Sequence, residues 1–108
     1  MAISTDTPSP ADPGVVALIR RFRAAPLGPY DAELQAFLLR FRGVAAQGKH
    51  VLVRLEGRNA WTLARMGGRG EPVTLLGGCH EDPDEAEWAV FAARWLDLYG
   101  WRPQEVLS

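Results

Sequence analysis

The side chains able to do chemistry are few in this chain, and most of them crowd one short stretch, Cys79-His80-Glu81-Asp82. Cys and His next to each other in sequence share a metal poorly, and no second Cys exists to complete a tetrahedral site. The stretch reads more simply as a loop leading into a helix cap. A nucleophile pair would need Cys79 activated by His50 or His80, yet nothing in the pattern orients either imidazole. Serines occur only at Ser4, Ser9 and Ser108, near the ends, which argues against a serine hydrolase triad. The carboxylates Glu81, Asp82, Asp84, Glu85 and Glu87 fit helix capping and a solvated face better than paired acid–base work. Gly67-Gly68-Arg69-Gly70 lacks the Gly-Lys-Ser/Thr ending of a phosphate loop and reads as a hairpin loop. No catalytic, cofactor-binding or metal-binding residue is therefore assigned in this chain.

Arginine is the other candidate functional group. There are 12 Lys and Arg against 13 Asp and Glu, for a net charge of -1. Between Arg20 and Arg69, ten basic residues face three acidic ones. From Gly70 to the end, two basic residues face eight acidic ones. Such a split marks either a nucleic-acid face or two halves that attract each other. Arg54, Arg58, Trp61, Arg65 and Arg69 fall on one expected hairpin, and a β-ribbon can enter a major groove. An α-β-β-β-α order also resembles double-stranded-RNA-binding domains. Those begin their last helix with Lys-rich sequence, whereas this one begins Asp-Pro-Asp-Glu, and a slightly acidic chain is poorly suited to phosphate. A small nucleic-acid-binding module using the arginine-rich hairpin stands as the alternative reading.

The elements that would position these groups follow from period and punctuation. Residues 1–12 are expected to form a flexible arm, and 13–108 a single small domain. Asp12-Pro13 opens a helix to about Ala24, with Val15, Leu18, Ile19 and Phe22 on one face. A second helix is expected over Asp31–Arg42, striped by Leu34, Phe37, Leu38 and Phe41, with Gly43 and Gly48 at its exit. Period two then takes over. Strands are expected over Lys49–Glu56, with Val51, Val53 and Leu55 on one face, over Ala60–Met66, and over Pro72–Leu76. Gly57-Arg58-Asn59 turns the first pair. Pro72 places the third at an edge, and Gly77-Gly78 is expected to end it. Asp82-Pro83-Asp84-Glu85 starts the last helix, with Asp82 as cap and Glu85 completing a capping box; it should stop at Gly100. Trp88, Val90, Phe91, Trp95 and Leu98 form its apolar face, and a short tail follows. The expected fold class is α+β, a three-stranded antiparallel meander packed against helices in the order α-α-β-β-β-α.

No apolar run approaches the roughly 20 residues that cross a bilayer. The first 13 residues lack the pattern of a secretory signal, and a single cysteine excludes an internal disulfide. A cytoplasmic chain without membrane contact is expected.

Laid out in order, Leu34-Gln35, Phe41-Arg42, Gly48-Lys49, Trp61 followed by Ala64, Gly70-Glu71, Glu85-Ala86, Ala89-Val90-Phe91 and Arg94 resemble the small (alpha) subunit of N,N-dimethylformamidase. The resemblance runs without gaps over about Leu34–Trp95. It implies a non-catalytic small subunit of an iron-dependent amidohydrolase. Such enzymes cleave dimethylformamide to dimethylamine and formate, on a large catalytic subunit whose iron is held by Tyr and Glu side chains. The partner is then that large subunit, iron is expected there and not here, and the small chain stabilises it in a hetero-oligomer. The chain departs from the family in its shorter N-terminal region and in a first strand rich in Val and Leu where aromatics are expected. A related N-substituted amide is therefore an open alternative substrate. Aromatics and arginines dominate interface energetics, so the docking candidates are Arg40, Arg42, Arg54, Trp61, Trp88, Arg94, Trp95 and Trp101. Trp101, beyond the last helix stop, is the foremost of them.

Overall fold

The computed structural model describes residues 8–45, 50–57, 59–67 and 69–107. Gly48 at the expected exit of the second helix, Lys49 at the expected start of the first strand, Arg58 and Gly68 lie outside the described residues, as does most of the expected N-terminal arm.

The chain folds as α1 (Pro13–Ala24), α2 (Ala32–Ala45), β1 (His50–Arg54), β2 (Trp61–Arg65), β3 (Thr74–His80) and α3 (Pro83–Tyr99), followed by a 3-10 turn at Pro103–Val106. This is the α-α-β-β-β-α order of an α+β fold. Each helix start is set by an aspartate. The Asp12 carboxylate accepts from Gly14 N at 2.8 Å, Asp31 from Leu34 N at 2.8 Å and Asp82 from Asp84 N at 2.9 Å, satisfying amides that a helix start leaves unpaired. Pro13 and Pro83 follow two of these caps, where no N–H is required. The end of α3 is equally local: Gly100 takes a left-handed φ of 81° and returns its N–H to Leu96 O, the conformation for which glycine is preferred. Glu85 does not complete the capping box. Its carboxylate turns to Arg23, with contacts of 2.9 and 3.0 Å, and ties α1 to α3.

The sheet is antiparallel in the order β1-β2-β3. Val51 lies opposite Ala64, Leu52 opposite Leu63, Val53 opposite Thr62 and Arg54 opposite Trp61. β3 is an edge strand, but it does not end at Gly77-Gly78 as expected. It continues through both to His80, with irregular register between Trp61 and Ala64. The reason is non-local. Gly77 and Gly78 adopt φ of 99° and 82°, which kink the strand, and the Thr62 hydroxyl on the neighbouring strand meets both carbonyls, Gly78 O at 2.7 Å and Gly77 O at 3.1 Å. That contact holds a segment whose glycines alone would favour a break. α2 likewise runs past Arg42 and Gly43.

Two separate sets of buried residues place α3 in the middle of the molecule. Trp88, Phe91 and Trp95, at helical spacing, join Ile19 and Phe22 of α1 and Leu34, Leu38 and Phe41 of α2 in one cluster. Phe91 is its centre, with ring centroids 4.2 Å from Phe22, 5.0 Å from Phe41 and 5.5 Å from both Trp88 and Trp95. Ala86 and Val90 are buried outside that cluster, as are Ala60 and Ala64 of the sheet. Small residues on both elements allow α3 and the sheet to approach closely. No helix among the described residues is long and apolar enough to cross a membrane.

Candidate functional site

The residues that sequence singled out for chemistry are kept apart by the sheet. Cys79 is exposed on β3 and His50 is buried on β1, with β2 between them. Cys79 and His80 follow one another along a strand, where successive side chains point to opposite faces. Among the described residues, no group of three or more His, Cys, Asp or Glu is placed to hold a metal ion. The two tyrosines are also committed. The Tyr30 hydroxyl donates to Pro26 O, and its ring lies under the Arg42 guanidinium. Burial pushes the Tyr99 phenol up from its ordinary pKa, away from phenolate.

Much of the arginine set is held within the chain. Arg65 reaches Asp97 of α3 at 3.3 Å and Arg23 reaches Glu85, and these ion pairs join the basic first half to the acidic second half. Arg21 pairs with Asp31 and Glu33 at 2.9 and 2.8 Å. On the hairpin, Arg54 bonds Asn59 across the turn at 3.1 Å and Arg69 is exposed, while Arg58 lies outside the described residues. The charge split is thus satisfied in part by attraction inside the fold, which leaves less positive charge for phosphate.

The eight docking candidates separate into four groups. Trp95 is fully enclosed at 0% exposure and Trp88 nearly so; both belong to the aromatic cluster, and Arg23 lies 5.2 Å over the Trp88 ring. Arg94 is an internal brace. Its Nε and a terminal nitrogen donate to the His50 carbonyl at 3.1 and 2.7 Å, fastening α3 to the start of β1, and burial draws its pKa below the ordinary arginine value. Trp101 is half-buried. It packs edge-on against Trp95 at 5.3 Å, and its Nε1 donates to Pro8 O at 3.1 Å, which pins the segment before α1. The remaining four reach the surface in different places. Arg40 borders a groove of about 900 Å³ between α1, α2 and the end of α3, floored by Val15, Leu18, Phe37 and Leu98. Arg42 stacks on Tyr30. Arg54 and the half-buried Trp61 are cross-strand neighbours on the sheet.

The largest concentration of exposed apolar side chains was not among these candidates. Met66, Val73, Leu75 and Leu76 are all about half exposed, on and beside the edge strand β3. Every residue of β3 except His80 is exposed. An uncovered edge strand carrying apolar side chains is a template for another chain, and free-standing proteins usually blunt such edges with charge. The signal was present in the sequence. Leu75 and Leu76 are adjacent, so the alternation of a strand sends them to opposite faces, and a single covering helix can bury only one.

The combined picture is a chain with a filled helical core, no assembled reaction centre among its described residues, and an apolar sheet edge. A family model described as N,N-dimethylformamidase alpha subunit matches residues 15–104, from α1 to the 3-10 turn. No curated protein and no solved structure gives a significant match.

Proposed function

This chain belongs to the N,N-dimethylformamidase alpha-subunit family, and we propose that it is a non-catalytic subunit that docks on, and stabilises, a large catalytic chain performing amide hydrolysis. An alpha subunit works alongside a second kind of chain, and the observation that carries the reading is the match over residues 15–104, nearly the whole domain. The iron implied for such enzymes does not fit this chain. A tyrosine-and-glutamate site has no counterpart among the described residues, since Tyr30 is bonded to Pro26 and burial raises the pKa of Tyr99. No step of the reaction is assigned to its residues; the iron and the chemistry are assigned to the large subunit. What this chain supplies is surface. The β3 edge with Leu75 and Leu76 is the contact that a second chain would cover, by extending the sheet and burying the exposed leucines. Arg54 lies on the opposite edge strand, β1, and Trp61 on the central strand.

The test is isolation of the tagged chain from its own host. The eluate is examined by mass spectrometry, for bound iron, and for release of dimethylamine and formate from dimethylformamide. A large second chain in fixed stoichiometry, carrying iron and the activity, is the expected result. Recovery of the chain alone, as a copy paired with itself, or with nucleic acid would overturn the assignment.

A further inference from the structure

Among the described residues, His50 is a buried ionisable side chain at the junction of β1, β2 and α3. It is 7% exposed. Its Nε2 lies 3.4 Å from a terminal nitrogen of Arg65 on β2, and that same nitrogen lies 3.3 Å from the Asp97 carboxylate on α3. A guanidinium can only donate, so Nε2 must accept and the ring proton must sit on Nδ1. Nδ1 is buried and has no partner. Arg94 of α3 grips the backbone oxygen of the same residue.

The consequence of a second proton is geometric. It would occupy Nε2, turn the acceptor into a donor facing a donor, and set a third cation beside Arg65 and Arg94. Only Asp97 opposes this, and it is already shared with Arg65. From further out, Arg42 of α2 adds repulsion at Arg94 and Glu87 of α3 offsets it. We propose that His50 is an acid-sensitive latch, whose neutral ring ties the first strand to Arg65 of β2 and through it to Asp97 of the last helix, and whose protonation loosens that junction. Burial, followed by the Arg65 charge, pulls the His50 pKa below its ordinary value, against the weaker pull of Asp97. The sign then follows. The unfolded chain takes up the proton near pH 6.5, whereas the folded chain resists, so stability is complete above that pH. It falls as the pH drops through about 6.5 and levels off only below the folded-state pKa.

Imidazole NMR on the full chain, labelled at its histidines, tests this directly. The chain has two histidines, and His80→Asn leaves a single ring to follow. The expected spectrum shows the Nδ1–H tautomer at pH 7 and a titration midpoint below 6.5. Arg65→Gln should raise that midpoint and Asp97→Asn should lower it further. Hydrogen-exchange protection of the β1 and β2 amides should fall by up to about tenfold per pH unit below 6.5, and should lose that dependence in His50→Gln. If His50→Gln does not fold, the titration of the wild-type ring still decides. An Nε2–H tautomer, a midpoint at or above 6.5, or protection unchanged between pH 7 and 5.5 would overturn the proposal.

Discussion

Replacing Leu75 and Leu76 together by serine separates a docking surface from a folding surface. The two side chains are 59% and 48% exposed in the free chain, so folding has gained about half of what their burial can yield. Full burial of a leucine is worth roughly 1.5–3 kcal/mol, which leaves about 1 kcal/mol or slightly more per residue to be realised against a partner. The double variant should therefore lose about 2–3 kcal/mol of binding, a roughly 30- to 150-fold rise in Kd. Its free-chain stability should fall by a comparable amount at most, because the other half of that burial is gained on folding. Calorimetric titration of the large subunit with wild-type and variant chains gives the first quantity, and urea unfolding of the isolated chains gives the second. Unchanged affinity for the large subunit would refute assignment of the β3 edge. A free-chain loss accompanied by unchanged affinity would mean that the two leucines serve this fold and not an interface.

Two further outcomes test the fold that presents the edge. Phe91→Ala removes the ring around which Phe22, Phe41, Trp88 and Trp95 are arranged, and should cost about 3–5 kcal/mol, read as a lower urea midpoint with an unchanged slope; a loss near 1 kcal/mol would contradict its central place. Asp31 is held below the ordinary carboxylate pKa, first by the Leu34 amide and then by Arg21. Its contribution is therefore present above the usual carboxylate range and lost as the pH falls through its depressed value. Asp31→Asn, followed by urea midpoints between pH 2 and 5, should flatten that part of the profile, and a profile identical to wild type would count against the pairing.

The helices were legible because their ends are chemically local. Asp12-Pro13, Asp82-Pro83 and Gly100 act on amides and carbonyls within one turn, so sequence alone placed α1 and α3. The course of β3 was not local. Gly77-Gly78 reads as a break because glycine weakens a strand, and only the Thr62 hydroxyl, 15 residues upstream, explains why the strand continues. The tryptophans posed the same difficulty. Trp88 and Trp95 share a helical stripe with Phe91, and a stripe says that a face is buried without saying whether this chain or another one buries it. The charge split also had two readings, and contacts between α1 and α3 and between β2 and α3 supply one of them.

The distribution of aromatic side chains links that packing to assembly. Of ten aromatics, nine lie in the helices or the segments beside them, and only Trp61 lies in the sheet. The cluster they form needs nothing from β3. α3 fills the space between that cluster and the sheet with alanine and valine on its second buried stripe. Small residues allow a close approach but cover little area, so the strand farthest along the sheet gains least. Had the sheet met a broad aromatic face, Leu75 could have been enclosed by this chain alone. The allocation of large side chains to one layer thus leaves the β3 edge uncovered by this chain, an arrangement that suits a subunit better than a free-standing domain of this size.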